Sequence, residues 1–205
     1  MEIDPKLNTP EIRELQLEKL KQALAWQYQN TPFNRARFEE AGARPEDIQS
    51  FEDFAAAIPV AGQEQVRKVI GEVGLNMNAL MLHLFGEKRL KDLYLLTTTS
   101  GTTGVPTPYP NFRASIRDAQ EIMSRAAWRM GFRPGDHIGL CFGLSMHAAG
   151  TPQLLWFQDY PGITMIPIGA EAGTEKILQF MQLFGVTIFA GTPSLALHLA
   201  ERSPE

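Results

Sequence analysis

From Leu93 onward the chain alternates short apolar, β-prone runs with amphipathic stretches, and this alternation limits the fold more than any other feature. Leu93-Tyr-Leu-Leu-Thr-Thr98 reads as a first strand. A Gly-rich turn and a long helix follow it. Ile116, Ala119, Met123, Ala126 and Met130 share one face of that helix, and Gly131 supplies its stop. Residues 138–142, 163–168 and 186–190 read as further strands, and residues 151–160, 175–184 and 195–201 as helices. Thr174 is the expected N-cap of one of these helices and Gly185 its stop. Strands and helices alternating at this spacing form βαβ units, because parallel strands need a crossover to return. The expected fold is α/β, with a mainly parallel sheet flanked by helices over 93–205.

Residues 1–92 carry a different pattern, that of an N-terminal helical segment packing on the sheet domain. Thr9-Pro10 and Thr31-Pro32 are helix starts, with Thr as N-cap and Pro at the first helical position. Leu17, Leu20, Leu24 and Tyr28 line one face after the first start, and Gly42 is a stop after the second. Ser50-Phe-Glu-Asp53 resembles a capping box with Asp in place of Glu. Gly71, Gly74 and Gly86 interrupt residues 62–92, where helix and loop are expected.

The 205 residues suit one domain or a small pair, and 44% hydrophobic content excludes a disordered chain. Lys and Arg number 19 against 23 Asp and Glu, a net charge of −4. The longest basic cluster is Lys88-Arg89-x-Lys91, so no nucleic acid is expected as a partner. A single cysteine, Cys141, excludes an internal disulfide and a thiolate zinc cluster. It lies in an apolar run and is expected to be a buried, inert thiol. No metal site is read. The start has no basic and apolar leader, and no apolar run approaches about 20 residues. No membrane association is therefore expected, and a cytoplasmic location is. His83, His137 and His198 match no motif, and Trp26, Trp128 and Trp156 are expected to pack in the core.

The stretch that carries chemistry is Thr97-Thr-Thr-Ser-Gly-Thr-Thr-Gly-Val-Pro-Thr107. Gly101 and Gly104 allow tight turning that exposes successive N–H groups, and Ser100, Thr102 and Thr103 add hydroxyl donors. A loop so rich in donors can hold phosphate oxygens without a formal charge. It lacks the Lys of a G-x-x-x-x-G-K-[ST] phosphate loop and the spacing of a dinucleotide fingerprint. The plainer reading is a Ser/Thr/Gly connection between a strand and a helix.

Thr99-Ser-Gly-Thr-Thr-Gly-Val-Pro106 resembles the phosphate-binding loop of the adenylate-forming, AMP-producing acyl-CoA synthetases. Thr107 after the Pro is similar to the phenylacetate–CoA ligase branch, where most other branches have Lys. Leu15-Gln-Leu-Glu-Lys-Leu20 with Asn30-Thr-Pro-Phe33, Ala41-Gly-Ala-Arg-Pro-Glu-Asp-Ile48, Phe132-Arg-Pro-Gly-Asp136 and Gly191-Thr-Pro-Ser194 also resemble that branch. Asn34 departs from its Tyr, and Gln63-Glu-Gln65 stands where a Lys-Asp pair is usual.

The resemblance implies a partial N-terminal domain of an AMP-forming ligase that activates an aromatic or other apolar carboxylic acid. ATP, Mg2+ and CoA are implied for the complete enzyme. Thr99, Ser100, Gly101, Thr102, Thr103 and Gly104 are implied to bind the ATP phosphates. Phe142, Gly143, Leu144, His147 and Gly150 are implied to wall the acyl pocket, with Gly191, Thr192 and Pro193 beside them. The alternative for His147 is a residue that caps the next helix or packs in the core, and for Gly191-Thr-Pro193 a simple chain reversal. The family's adenine-binding loop, its Y-G-x-[ST]-E segment and its catalytic Lys are not met before Glu205, so no catalytic residue is assigned and the chain is expected to be inactive alone. A non-catalytic homologue serving as a phosphate-binding or interaction module is the alternative, and an unrelated phosphate-binding α/β enzyme a third reading. A homodimer is one expectation for its association.

Overall fold

A computed structural model describes residues 9–74, 76–99 and 106–202. The chain divides into two compact units, Met1–Lys91 and Asp92–Glu205.

The first unit is helical. Helix α1 spans Pro10–Asn30, and the Thr9 hydroxyl accepts from the Ile12 amide at its start (3.4 Å). Helix α2 spans Pro32–Glu40, α3 Phe51–Ala57, α4 Gln63–Val73 and α5 Met77–Leu90. Thr31 precedes α2 without capping it: its hydroxyl donates back to the Gln27 carbonyl (2.6 Å). Ser50 caps α3 through the Asp53 amide, while the Asp53 carboxylate accepts from Gln49 instead of closing the box on Ser50. The residues 62–92 are thus largely helical, with Gly86 breaking α5 at a φ of 76°. Leu24, Phe38 and Ile48 form one buried cluster, joined by Leu20 and Tyr28 from the face expected on α1. Val69, Leu80 and Leu84 form a second between α4 and α5.

The second unit is α/β. Strand β1 is Leu93–Thr98, β2 Pro108–Phe112, β3 His137–Leu140, β4 Thr164–Ile166 and β5 Ile188–Ala190. Helix α6 is Arg113–Met130, α7 Thr151–Trp156, α8 Thr174–Leu183 and α9 Pro193–Ala200. Strands β3, β4 and β5 form a parallel sheet in the order β4-β3-β5. Both crossovers, through α7 and through α8, follow the βαβ pattern read from the sequence. Parallel sheets are covered on both faces. Ile138 packs with Ala127, Phe132, Phe157 and Tyr160 on the α6–α7 side, whereas Cys141 packs with Ile177 and Leu199 on the α8–α9 side.

Three local expectations change. The Gly-rich stretch connects β1 to the antiparallel β2, not to a helix, and α6 starts only after β2 ends. Gly173, not Thr174, is the N-cap of α8. Trp128 is 56% exposed, beneath the Arg133 guanidinium at 4.0 Å, and does not join the core. Among the described residues no single helix is long and apolar enough to cross a membrane.

Candidate functional site

In a parallel sheet the loops after the carboxyl ends of the strands collect at one edge, and ligands bind there. Here the chain leaves β3 as Cys141-Phe142-Gly143. The Cys141 amide donates to Ala190 O at the end of β5 (2.7 Å). The turn after β4 closes on the other side: the Gly169 amide donates to Leu140 O (2.9 Å) and the Ala170 amide to Phe142 O (3.2 Å). Phe142 and Gly143 therefore run between the ends of β4 and β5.

The segment then turns toward the β1–β2 hairpin. The Thr98 amide donates to Met146 O (2.6 Å) and the Ala148 amide to Thr98 O (3.1 Å), a parallel bridge between Thr98 and His147. Next to it the Thr99 amide donates to Thr107 O (3.1 Å), which joins the two ends of the Gly-rich stretch. Ser100, Gly101, Thr102, Thr103 and Gly104 lie outside the described residues. The backbone entering the Gly-rich stretch is thus tied to residues 146–148, and that segment in turn leads back to the sheet edge.

Close packing explains two glycines in the segment. A Cβ on Gly150 would stand 2.0 Å from Gly143 O, and one on Gly143 would stand 2.6 Å from Cδ2 of His147. Leu144 is held on both sides of its backbone. Its carbonyl accepts from the Thr151 hydroxyl, and its amide donates to Oε1 of Glu171 (2.9 Å). Thr151 also donates to Ser145 O (3.0 Å). His147 is exposed, so it is not a core histidine.

At the end of β5, Gly191 leads into α9. Thr192 caps that helix, its hydroxyl accepting from the Leu195 amide (3.3 Å), and Pro193 occupies the first helical position. Gly191 and Thr192 thus have a structural role whatever else they line. The structure brings Phe142, Gly143, Leu144, His147 and Gly150 together beside Thr99, with Gly191–Pro193 beyond the neighbouring strand end.

The titratable groups differ in kind. Burial pushes the Cys141 thiol up to about 11, which keeps it protonated and unreactive. The Glu171 carboxyl is held below the usual range chiefly by its own backbone amide, against the opposing pull of burial, with the amides of Leu144 and Ser145 and the nearby His147 adding to the lowering. Glu171 escaped the sequence reading. It sits in a short turn, Ala170–Ala172, and no spacing marks it out. Among the described residues no group of three or more His, Cys, Asp or Glu is arranged to hold a metal ion.

No family model matches the chain. It is 30% identical over 190 residues to a phenylacetate-coenzyme A ligase of Pseudomonas putida, covering 93% of this chain and 40% of the relative. It is 28% identical over 204 residues to the Thermus thermophilus enzyme of the same name, covering 98% of this chain and 43% of that one. Among solved structures it is similar to 2-hydroxyisobutyryl-CoA ligase in an open conformation with 2-HIB-AMP and CoA. That match has a TM-score of 0.81 and 27% identity, and covers 95% of this chain and 44% of the other. The chain spans about two fifths of the length of the curated relatives it matches.

Proposed function

We infer the function from kinship: the chain is a phenylacetate–CoA ligase-like member of the adenylate-forming acyl-CoA ligases, and we propose that it forms the N-terminal portion of such an enzyme. The complete enzyme activates an aromatic or other apolar carboxylic acid with ATP. The carboxylate oxygen attacks the α-phosphorus, and the bond to the pyrophosphate oxygen breaks. The thiol of CoA then attacks the acyl carbon and AMP leaves.

Such a reaction requires donors placed on phosphate oxygens and a carboxylate held in line with the leaving group. In this reading Thr99, Ser100, Thr102 and Thr103, with the amides of Gly101 and Gly104, hold the ATP phosphates. Mg2+ would accompany the nucleotide and offset its charge. Phe142, Gly143, Leu144, His147 and Gly150, with Gly191, Thr192 and Pro193, wall the acyl pocket. The supporting observation is the backbone bridge from Thr98 to residues 146–148, which ties the entry of the phosphate loop to the pocket wall. We take the enzyme to act in the cytoplasm, and this portion alone to produce no acyl-CoA.

Calorimetry with ATP on the purified chain, alongside Gly104→Val, tests the reading. Weak binding by the chain, lost in the variant with an unchanged circular dichroism spectrum, is the expected result. Equal ATP affinity in the two proteins removes the loop from the mechanism. Acyl-CoA made by the chain from ATP, CoA and phenylacetate would overturn its inactivity alone.

A further inference from the structure

We propose that Glu171 is a positioning residue: from the turn after β4, its carboxylate fixes the 142–150 segment and so seats His147. This deepens the reading above, since it rests on that segment being a wall of the acyl pocket.

Three observations carry the inference. First, backbone pairing between the turn and the segment stops at Phe142, where the Ala170 amide meets Phe142 O (3.2 Å). One step further on, the Glu171 side chain takes over by accepting from the Leu144 amide (2.9 Å). The carboxylate thus extends a ladder that the backbone has left. Second, Leu144 is clamped from both sides, because the Thr151 hydroxyl binds its carbonyl. A segment held at both polar groups of one residue has little freedom to slide.

Third, the carboxylate lies close against two glycines. A Cβ on Gly169 would stand 2.7 Å from Oε2 of Glu171. A Cβ on Gly143 would stand 3.4 Å from Oε1 and 2.6 Å from Cδ2 of His147. The carboxylate and the imidazole therefore flank one glycine, the carboxylate at van der Waals distance and the imidazole closer than a Cβ would allow in its present position. The charge of His147 also acts on Glu171, in the direction that favours the carboxylate. Glu171 makes no contact with a reacting atom in this account. It acts through the placement of Leu144 and His147.

The test compares the 15N-labelled chain with Glu171→Ala and Glu171→Gln by NMR. In Glu171→Ala the Leu144 amide should exchange with solvent about tenfold faster, as befits loss of a charge-assisted hydrogen bond. The His147 ring signals should move in the same variant. Glu171→Gln keeps an oxygen acceptor, so exchange should stay close to that of the unaltered chain. Its Leu144 amide shift should no longer follow the acid titration that the carboxylate imposes. Unchanged Leu144 exchange in Glu171→Ala overturns the proposal, as does an unaltered Leu144 titration in Glu171→Gln. Neither readout requires ATP, CoA or an acid. A failed ligase assay therefore leaves the positioning role standing, and failure here leaves the ligase reading standing.

Discussion

At the level of single residues, the sharpest constraint is the missing side chain of Gly150. Its Cβ position lies 2.0 Å from the Gly143 carbonyl oxygen, a backbone atom that cannot rotate aside. Gly150→Ala is therefore expected to destabilise the chain by about 1–3 kcal/mol, the range for forced overpacking. Gly71, inside α4 with open space where a Cβ would go, is the control. Gly71→Ala should stabilise by about 0.5–1 kcal/mol, because alanine loses less backbone entropy in a helix. Urea unfolding of both variants checks this, and a Gly150→Ala midpoint at or above that of the unaltered chain would contradict the close approach. The apolar neighbours of Cys141 announced its burial, and it is 1% exposed with a raised pKa. The role of Glu171 could not be read in the same way. It arises from where a turn delivers a side chain, and a lone Glu between two alanines carries no periodic signal.

At the level of elements, Asp136 joins the turn before β3 to the approach to β5. Its carboxylate accepts from the Arg133 amide (2.6 Å) and from the Thr187 hydroxyl (2.8 Å). The Arg133 amide is the main cause of its lowered pKa, followed by Thr187. A carboxylate whose folded pKa is depressed adds stability above the unfolded pKa. That contribution vanishes as pH falls through the folded value. Asp136→Asn should therefore weaken the chain at neutral pH and flatten the acid limb of its stability curve, so that the two proteins converge at low pH. Thermal melts across pH settle this, and a gap that persists undiminished into acid would refute the linkage. Most of the elements of the second unit were legible because period and punctuation agreed: Gly131 and Gly185 end α6 and α8 as expected. Strand β2 was not. Pro108-Tyr-Pro-Asn-Phe112 carries two prolines, which argue against a strand unless it pairs on one side. Among the described residues β2 pairs only with β1, so a proline without an N–H is tolerated there. Thr174 failed as a cap because Gly173 took the position with a φ of 82°.

For the molecule as a whole, each buried cluster falls inside one unit. Leu24 and Val69 anchor the two in Met1–Lys91, whereas Ile138 and Ile177 anchor the two in Asp92–Glu205. Ile177 is fully buried, and truncation of such a side chain costs about 2–5 kcal/mol. Ile177→Ala should lower hydrogen-exchange protection across 92–205 more than across 9–91, as expected where stability is held regionally. Equal losses in both would show that the two cores unfold as one. The α/β half was legible because hydrophobic period reports burial directly. The Gly-rich stretch stood out as a string of residue types alone, since its donors are ordered in sequence, and residues 100–104 lie outside the described residues. The bridge between Thr98 and residues 146–148 has one more consequence, for how such chains diversify. The bridge uses main-chain atoms, so descendants can change the side chains at 144, 145 and 149 without breaking it. A deletion or insertion between 146 and 148 would part the end of β1 from the segment that follows β3, and lineages should avoid it.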